Sequence, residues 1–206
     1  MKVKPTLKTY SNNSMEKKYE VLKSICETRK SCRSFKPDMF PEECIEQILN
    51  IAHKSPYANG RKNWEVIVIR EKPIIELMSK TVISSIENIS DQMDQDLSFL
   101  FKNYSKNFTF FNKAPVIFIP IFRISPTIQS ILKDNITPEM LLWERDNSVK
   151  SISCVSMLLI LAAESLGLNS CYMTGPLLAQ EELAQILKLP TGRLIGSIIP
   201  VGYCNN

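Results

Sequence analysis

Arg29-Lys30-Ser31-Cys32-Arg33-Ser34-Phe35 closes one helical segment and is followed by Pro37 and Pro41. Three cations and a hydroxyl within five residues can hold a phosphate and a polarised heterocycle together, because guanidinium forks match phosphate geometry in a way that ammonium points do not. Taken alone, such a run is more often a solvated basic surface. The segments on either side of it decide between the two.

Ahead of it, residues 1–14 are polar and read as an arm, and Ser14 can cap a helix that carries Glu16 in its first turn and Tyr19, Leu22, Ile25 and Cys26 on one face. After it, Pro41 opens a second helix in which Ile45, Ile48, Leu49 and Ala52 recur at i, i+3, i+4 and i+7, until Ser55-Pro56 stops it. Trp64 to Ile69 reads as a strand buried on both faces. Ile75, Met78, Val82, Ile86 and Ile89 mark a third helix. Leu97, Leu100, Phe101, Tyr104 and Phe108 mark a fourth, and its aromatic stripe reads as core. Pro115 to Phe122 is a second buried strand, which Pro120 places near an edge or bend.

Residues 123–147 show only short helical turns, near Thr127–Leu132 and Pro138–Glu144, and read as a lid insertion in which Trp143 is either a lid aromatic or a packing residue. Ser148 to Leu166 is apolar nearly all round, a central helix or one facing a partner subunit, closed by Gly167. Ser170 to Thr174 is a strand leading into Gly175-Pro176, Ala179 to Leu187 a helix, and Leu194 to Tyr203 a final strand. The order predicts an α+β arrangement of helices layered on a sheet, one domain over residues 15–206, with no internal repeat.

Composition narrows the function classes. The 206 residues are 44% hydrophobic and 22% charged, with 25 Lys and Arg against 21 Asp and Glu. That surplus suits an anionic small molecule and is too slight to imply nucleic acid. The six cysteines (26, 32, 44, 154, 171, 204) include no C-x-x-C pair, and His53 is the only histidine, so no metal site is expected. Scattered cysteines, most of them buried, fit a reducing, cytoplasmic setting. His53 lies late in the second helix and reads as a helix-end residue; one histidine also removes most triad schemes. The N-terminus has no signal-peptide apolar run, and the greasiest segment, Ser151 to Ala163, is shorter than the roughly 20 residues of a bilayer span. Glycine loops of the Rossmann or P-loop type do not occur.

With these pieces in order, the chain resembles the FMN-dependent nitroreductase family from about Glu16 to Tyr203. E-T-R-K-S-C-R-S-F-K-P-D resembles the family's helix end followed by R-R-S-x-R-x-F, and S-P-Y-A-N-G-R-K-N-W-E-V-I-V-I its A-P-S-x-x-N-x-Q-P-W and following strand. K-A-P-V-I-F-I is similar to its strand after Ala-Pro, and S-M-L-L-I-L-A-A-E-S-L-G-L-N-S-C-Y-M-T-G-P-L to its helix and strand around L-A-A-x-x-x-G-L-G. The closing I-I-P-V-G-Y also fits.

The resemblance implies a three-layer α/β/α fold with a mixed, mainly antiparallel sheet, and a homodimer with FMN at the subunit interface. It places Arg29, Lys30 and Ser31 on the phosphate and ribityl chain and Arg33 near the flavin N1–C2=O edge. Pro56, Tyr57, Ala58 and Asn59 would approach the ring from the other subunit, and Met173, Thr174 and Gly175 would run beside it. NADH or NADPH would reduce FMN and a small-molecule acceptor (nitroaromatic, quinone or flavin) would reoxidise it, flavin N5 carrying the chemistry without a catalytic side chain. Tyr57 stands where a small residue is usual, and Gly60, Lys62 and Asn63 where Asn, Gln and Pro are common. The chain also lacks the basic arm with which many relatives wrap a partner. Two rival readings follow: a flavin-sequestering dimer with little turnover, and a specialised flavoenzyme acting on a halogenated or dehydrogenated substrate.

Overall fold

The run Val-Ile-Phe-Ile-Pro-Ile-Phe-Arg builds the centre of the molecule. The computed structural model describes residues 12–56 and 62–205, with side chains from Met15 onward. In chain order the helices are α1 (Asn12–Thr28), α2 (Glu42–Ala52), α3 (Lys72–Ser90), α4 (Gln95–Ser105), α5 (Thr127–Leu132), α6 (Pro138–Ser165) and α7 (Gln180–Ile186). The strands are β1 (Trp64–Ile69), β2 (Val116–Arg123), β3 (Asn169–Ser170), β4 (Arg193–Ile195) and β5 (Ile199–Gly202). They form an antiparallel sheet of order β1-β2-β5-β3, with β4 also paired to β2. One isolated parallel bridge, Ser31 to Ser170, adds the mixed character.

Because successive side chains on a strand point to opposite faces, β2 feeds two cores. Val116, Phe118 and Phe122 join α2 and α6 on one side of the sheet. Ile117, Ile119 and Ile121 join α3 and α7 on the other. This is the three-layer α/β/α arrangement, and α2 and α3 carry it as their periodicity requires: Ile45, Ile48 and Ala52 are buried on one, Ile75, Met78 and Val82 on the other. His53 caps the C-terminus of α2, and Gly167, at φ 74°, closes α6.

Several expectations are corrected. α1 begins at Asn12, so Ser14 lies inside the helix, and Tyr19, Leu22 and Cys26 are exposed on it. β1 is an edge strand with Glu65 exposed and its middle half-buried. β2 is instead central despite Pro120, and the partner strand breaks opposite it: the expected final strand is two pieces, β4 and β5, with Gly196 donating to the Pro120 carbonyl at 2.8 Å between them. α4 is not core; Leu97, Phe99, Leu100 and Tyr104 all face outward. Residues 138–147 are the opening turns of the 28-residue α6, capped by Thr137, rather than a short helical turn of their own. By length and composition α6 would suffice for a membrane span. Its buried stripe of Ile152, Val155, Leu159 and Ala163 is that of a core helix packed on α2 and β2.

The cysteines depart furthest from expectation. Cys26 and Cys154 are exposed, and Cys32 is joined to Cys204 by a disulfide whose Cα atoms lie 6.0 Å apart across a sequence separation of 172.

Phe118 is fully buried at the middle of β2. We expect Phe118→Ala to cost about 3–5 kcal/mol, the range for deleting a core phenyl ring, read as a fall in the urea midpoint with an unchanged m-value; a loss under about 1 kcal/mol would mean that this face of β2 is not the core.

Candidate functional site

The basic stretch does not continue α1. The Thr28 hydroxyl bonds back to the Ser24 carbonyl at 2.9 Å, and the Cys32 N–H then donates to the Ser170 carbonyl at 3.0 Å, drawing residues 31–32 alongside β3. Further on, the Lys36 N–H donates to the Tyr203 carbonyl and the Asn205 N–H to the Ser34 carbonyl, each at 2.8 Å. The Asn169 Oδ1 accepts the Cys204 N–H at 3.0 Å, and the Asn205 amide reaches the Ser34 hydroxyl and the Phe35 carbonyl. In this extended course Cys32 and Phe35 turn inward, Lys30, Ser31 and Arg33 are exposed, and Arg29 is half-buried.

Beyond β3 the chain reaches the second segment singled out in the sequence. Met173 exchanges backbone hydrogen bonds with Ile198 at 3.0 and 2.9 Å, and its side chain is buried against the α3–α7 core. Thr174 and Gly175 follow, Gly175 opening a 3₁₀ turn. Arg33, Cys171, Met173, Thr174 and Gly175 line one open cleft of about 540 Å3. Much of its remaining wall is aromatic, with Tyr172 and, from α4 and the segment after it, Phe101, Tyr104, Phe108 and Phe110, beside Asn107, Pro176 and Leu178.

Cys171 is where the two predicted segments meet. Burial pushes its thiol above the usual range, while the Ser31 hydroxyl and the positive charges of Arg33 and Arg29 act on it in the opposite sense. The thiol therefore stays neutral at physiological pH and leaves the positive charge of Arg29 and Arg33 for a ligand. Lys30 sits on the same stretch and points to solvent. Pro56 is exposed beyond α2 and does not line this cleft. Tyr57, Ala58 and Asn59 lie outside the described residues.

Gly175 has a local reason to be glycine. A Cβ built there falls 2.4 Å from two ring carbons of Phe108, so the phenyl ring occupies the space a side chain would need. Tyr104 meets the same ring edge-on at 5.3 Å. Sequence reasoning assigned these aromatics to the core and overlooked Cys171. The available signal was the place of Cys171 within S-C-Y-M-T-G-P.

Two other sequence positions resolve into structural roles. The Asn63 side chain donates to the Arg123 carbonyl at 2.8 Å and to the Ser125 hydroxyl at 3.2 Å, tying the start of β1 to the end of β2. Lys62 lies over the Trp64 ring, 4.5 Å from its centroid, and His53 also meets that ring, tilted, at 5.7 Å. Burial, with the charges of Lys62 and Lys54, holds His53 below its ordinary pKa and thus neutral. A second cavity, about 390 Å3, lies between α5 and α6 and includes Asn63, Trp143 and buried Glu144, whose carboxylate accepts the Ile128 N–H. A buried carboxylate suits it poorly to an anion.

The model of the nitroreductase family matches residues 26–203, and the chain belongs to that family. An iodotyrosine deiodinase from Nematostella vectensis is 27% identical over 94% of this chain and 70% of its own length. The structure superposes on a BluB-like flavoprotein from Clostridium difficile 630 with TM-score 0.80 at 24% identity, covering 90% of each chain. It also matches a nitroreductase with bound FMN from Desulfitobacterium hafniense DCB-2, with TM-score 0.69 at 21% identity over 90% of each chain.

Gly175→Ala has to displace Phe108. We expect it to cost about 1–3 kcal/mol, the range for overpacking, and the double variant with Phe108→Ala to recover part of that loss. A double-mutant cycle by urea unfolding reads the coupling; strict additivity would place the ring elsewhere.

Proposed function

We propose that this chain is an FMN-dependent oxidoreductase that passes hydride from NADH or NADPH to a small acceptor such as a nitroaromatic, a quinone or free flavin, donor and acceptor using one cleft in turn. The observation that carries the reading is the convergence of the Arg29–Arg33 cations with the Met173–Gly175 wall around neutral Cys171. The donor set fits the phosphate end of the cofactor, since cations and a hydroxyl face outward from a backbone pinned to the sheet. The cleft is within the roughly 300–1,000 Å3 of small-molecule sites, and its aromatic wall suits a flat ring.

When bound, FMN supplies reversible hydride exchange at its N5. The chain supplies the rest. Arg29, Lys30 and Ser31 would hold the phosphate and ribityl chain, and the half-buried setting of Arg29 would strengthen its pairing. Arg33 lines the cleft, and its positive charge would offset the negative charge that reduction leaves on a bound flavin. Thr174 and Gly175 line the same cleft and would offer backbone to a bound ring, with Phe101 and Tyr104 of α4 on another wall. Pro56, Tyr57, Ala58 and Asn59 would complete the site from a second copy of the chain. Exposed apolar side chains on α1 (Tyr19, Leu22) and α6 (Met157) support a homodimer.

The likeness to an iodotyrosine deiodinase across nearly the whole chain favours a second reading, reductive removal of halogen from an aromatic amino acid in the same cleft. Purified protein should be yellow and bleach on anaerobic addition of NADPH or NADH. A colourless protein that takes up no FMN overturns both readings, and a bound flavin that stays yellow would make the chain a flavin carrier. Iodide release from 3-iodotyrosine under dithionite, set against turnover of a nitroaromatic, separates the two acceptor classes. Arg33→Ala should lower the flavin midpoint potential by about 30–60 mV, the two-electron equivalent of one charge-assisted contact; an unchanged midpoint removes Arg33 from the ring.

A further inference from the structure

We infer that the Cys32–Cys204 disulfide is the positioning element for the phosphate end of the cofactor: closed, it holds the cation cradle preformed, and opened by a dithiol it lets that cradle relax. The inference rests on the FMN reading above and names a control on the same site.

The bridge stands in the middle of the cradle. Cys32 is flanked by Ser31 and Arg33, with Lys30 and Arg29 immediately before them. The cations Arg29, Lys30 and Arg33 repel one another, and Lys30, Ser31 and Arg33 are exposed, so their own charges do not gather them. Apolar support beneath them is slight. Cys32, Phe35 and Ala114 form a small cluster, with Phe110 and Cys204 packed against it, and Phe110 is its link to the α3–α7 core. The backbone ladder of Cys32 to Ser170, Lys36 to Tyr203 and Asn205 to Ser34 is a single row at the sheet's margin. Joining Cys32 to Cys204 fixes that row covalently to the strand end that follows β5. A preformed array of donors binds an anion without the ordering cost that a loose one incurs.

Opening the bridge is balanced by a dithiol. One thiolate attacks a bridge sulfur to form a mixed disulfide, and the second closes on the first. Two electrons and two protons pass to Cys32 and Cys204, which become thiols, while the reductant becomes a cyclic disulfide.

The test uses two flavins that share the ring and ribityl chain and differ only in the phosphate. FMN and riboflavin are titrated by fluorescence quenching into the full-length apoprotein, oxidised and after dithiothreitol treatment with anaerobic desalting, and into Cys204→Ser. We expect FMN to bind at least about tenfold more weakly without the bridge, with riboflavin affinity unchanged. Equal weakening of both flavins makes the bridge a general staple and overturns the inference, as does an unchanged FMN affinity. If Cys204→Ser does not fold, the reduced wild-type protein carries the comparison. Should that protein also lose its near-ultraviolet circular dichroism, the bridge is needed for the whole fold, and the specific role is again overturned. FMN binding alike in both redox states leaves the function above standing, whereas no binding to the oxidised protein removes both.

Discussion

The hydrogen bond from the Cys32 N–H to the Ser170 carbonyl decides what the basic run becomes. Had α1 continued, residues 29–33 would have been spread around a helix at about 100° per residue, with their charges on every side. Once the backbone is drawn beside β3, inward and outward positions separate. Cys32 and Phe35 bury themselves, and the polar groups are left on one surface near Cys171. The selection is made by the main chain, and side-chain chemistry works on the result.

That bond needs β3 in its place, and β3 depends on how β2 handles a proline. Pro120 cannot donate to a neighbouring strand. Opposite it the chain breaks between β4 and β5, and Gly196 fits there because a Cβ would press on Ile152 at 2.7 Å and on the Pro120 carbonyl at 3.2 Å. The break leaves Ile198 free of β2, and Ile198 pairs with Met173 instead. The wall formed by residues 173–175 thus lies beside the segment that breaks opposite Pro120, two residues on from Gly196. The same break lets β2 serve both cores without interruption.

Much of this was legible. The stripes of α2 and α3, the closure of α6 at Gly167 and the layered α+β fold follow from periodicity and from one glycine with positive φ. Arg29, Ser31, Arg33, Thr174 and Gly175 were marked by their place in ordered motifs, and the fold brings them around one thiol and one cleft. What could not be read was which apolar surface stays uncovered. The residues of α4 have core spacing, yet the helix faces outward, because periodicity reports a stripe and not what packs on it. Pro120 misled for a related reason: its effect fell on the partner strand, which lies some 75 residues further along. The disulfide was equally hidden, since two cysteines at opposite ends of a chain carry no spacing signal.

Joining position 32 to position 204 makes nearly the whole molecule one covalent ring. A protease that cuts an exposed turn inside the ring, for instance near Gly192, would open the chain without separating its parts. The clipped molecule would migrate as one species until a reductant released two fragments. Integrity of the backbone and integrity of the molecule are thus distinct properties in this protein.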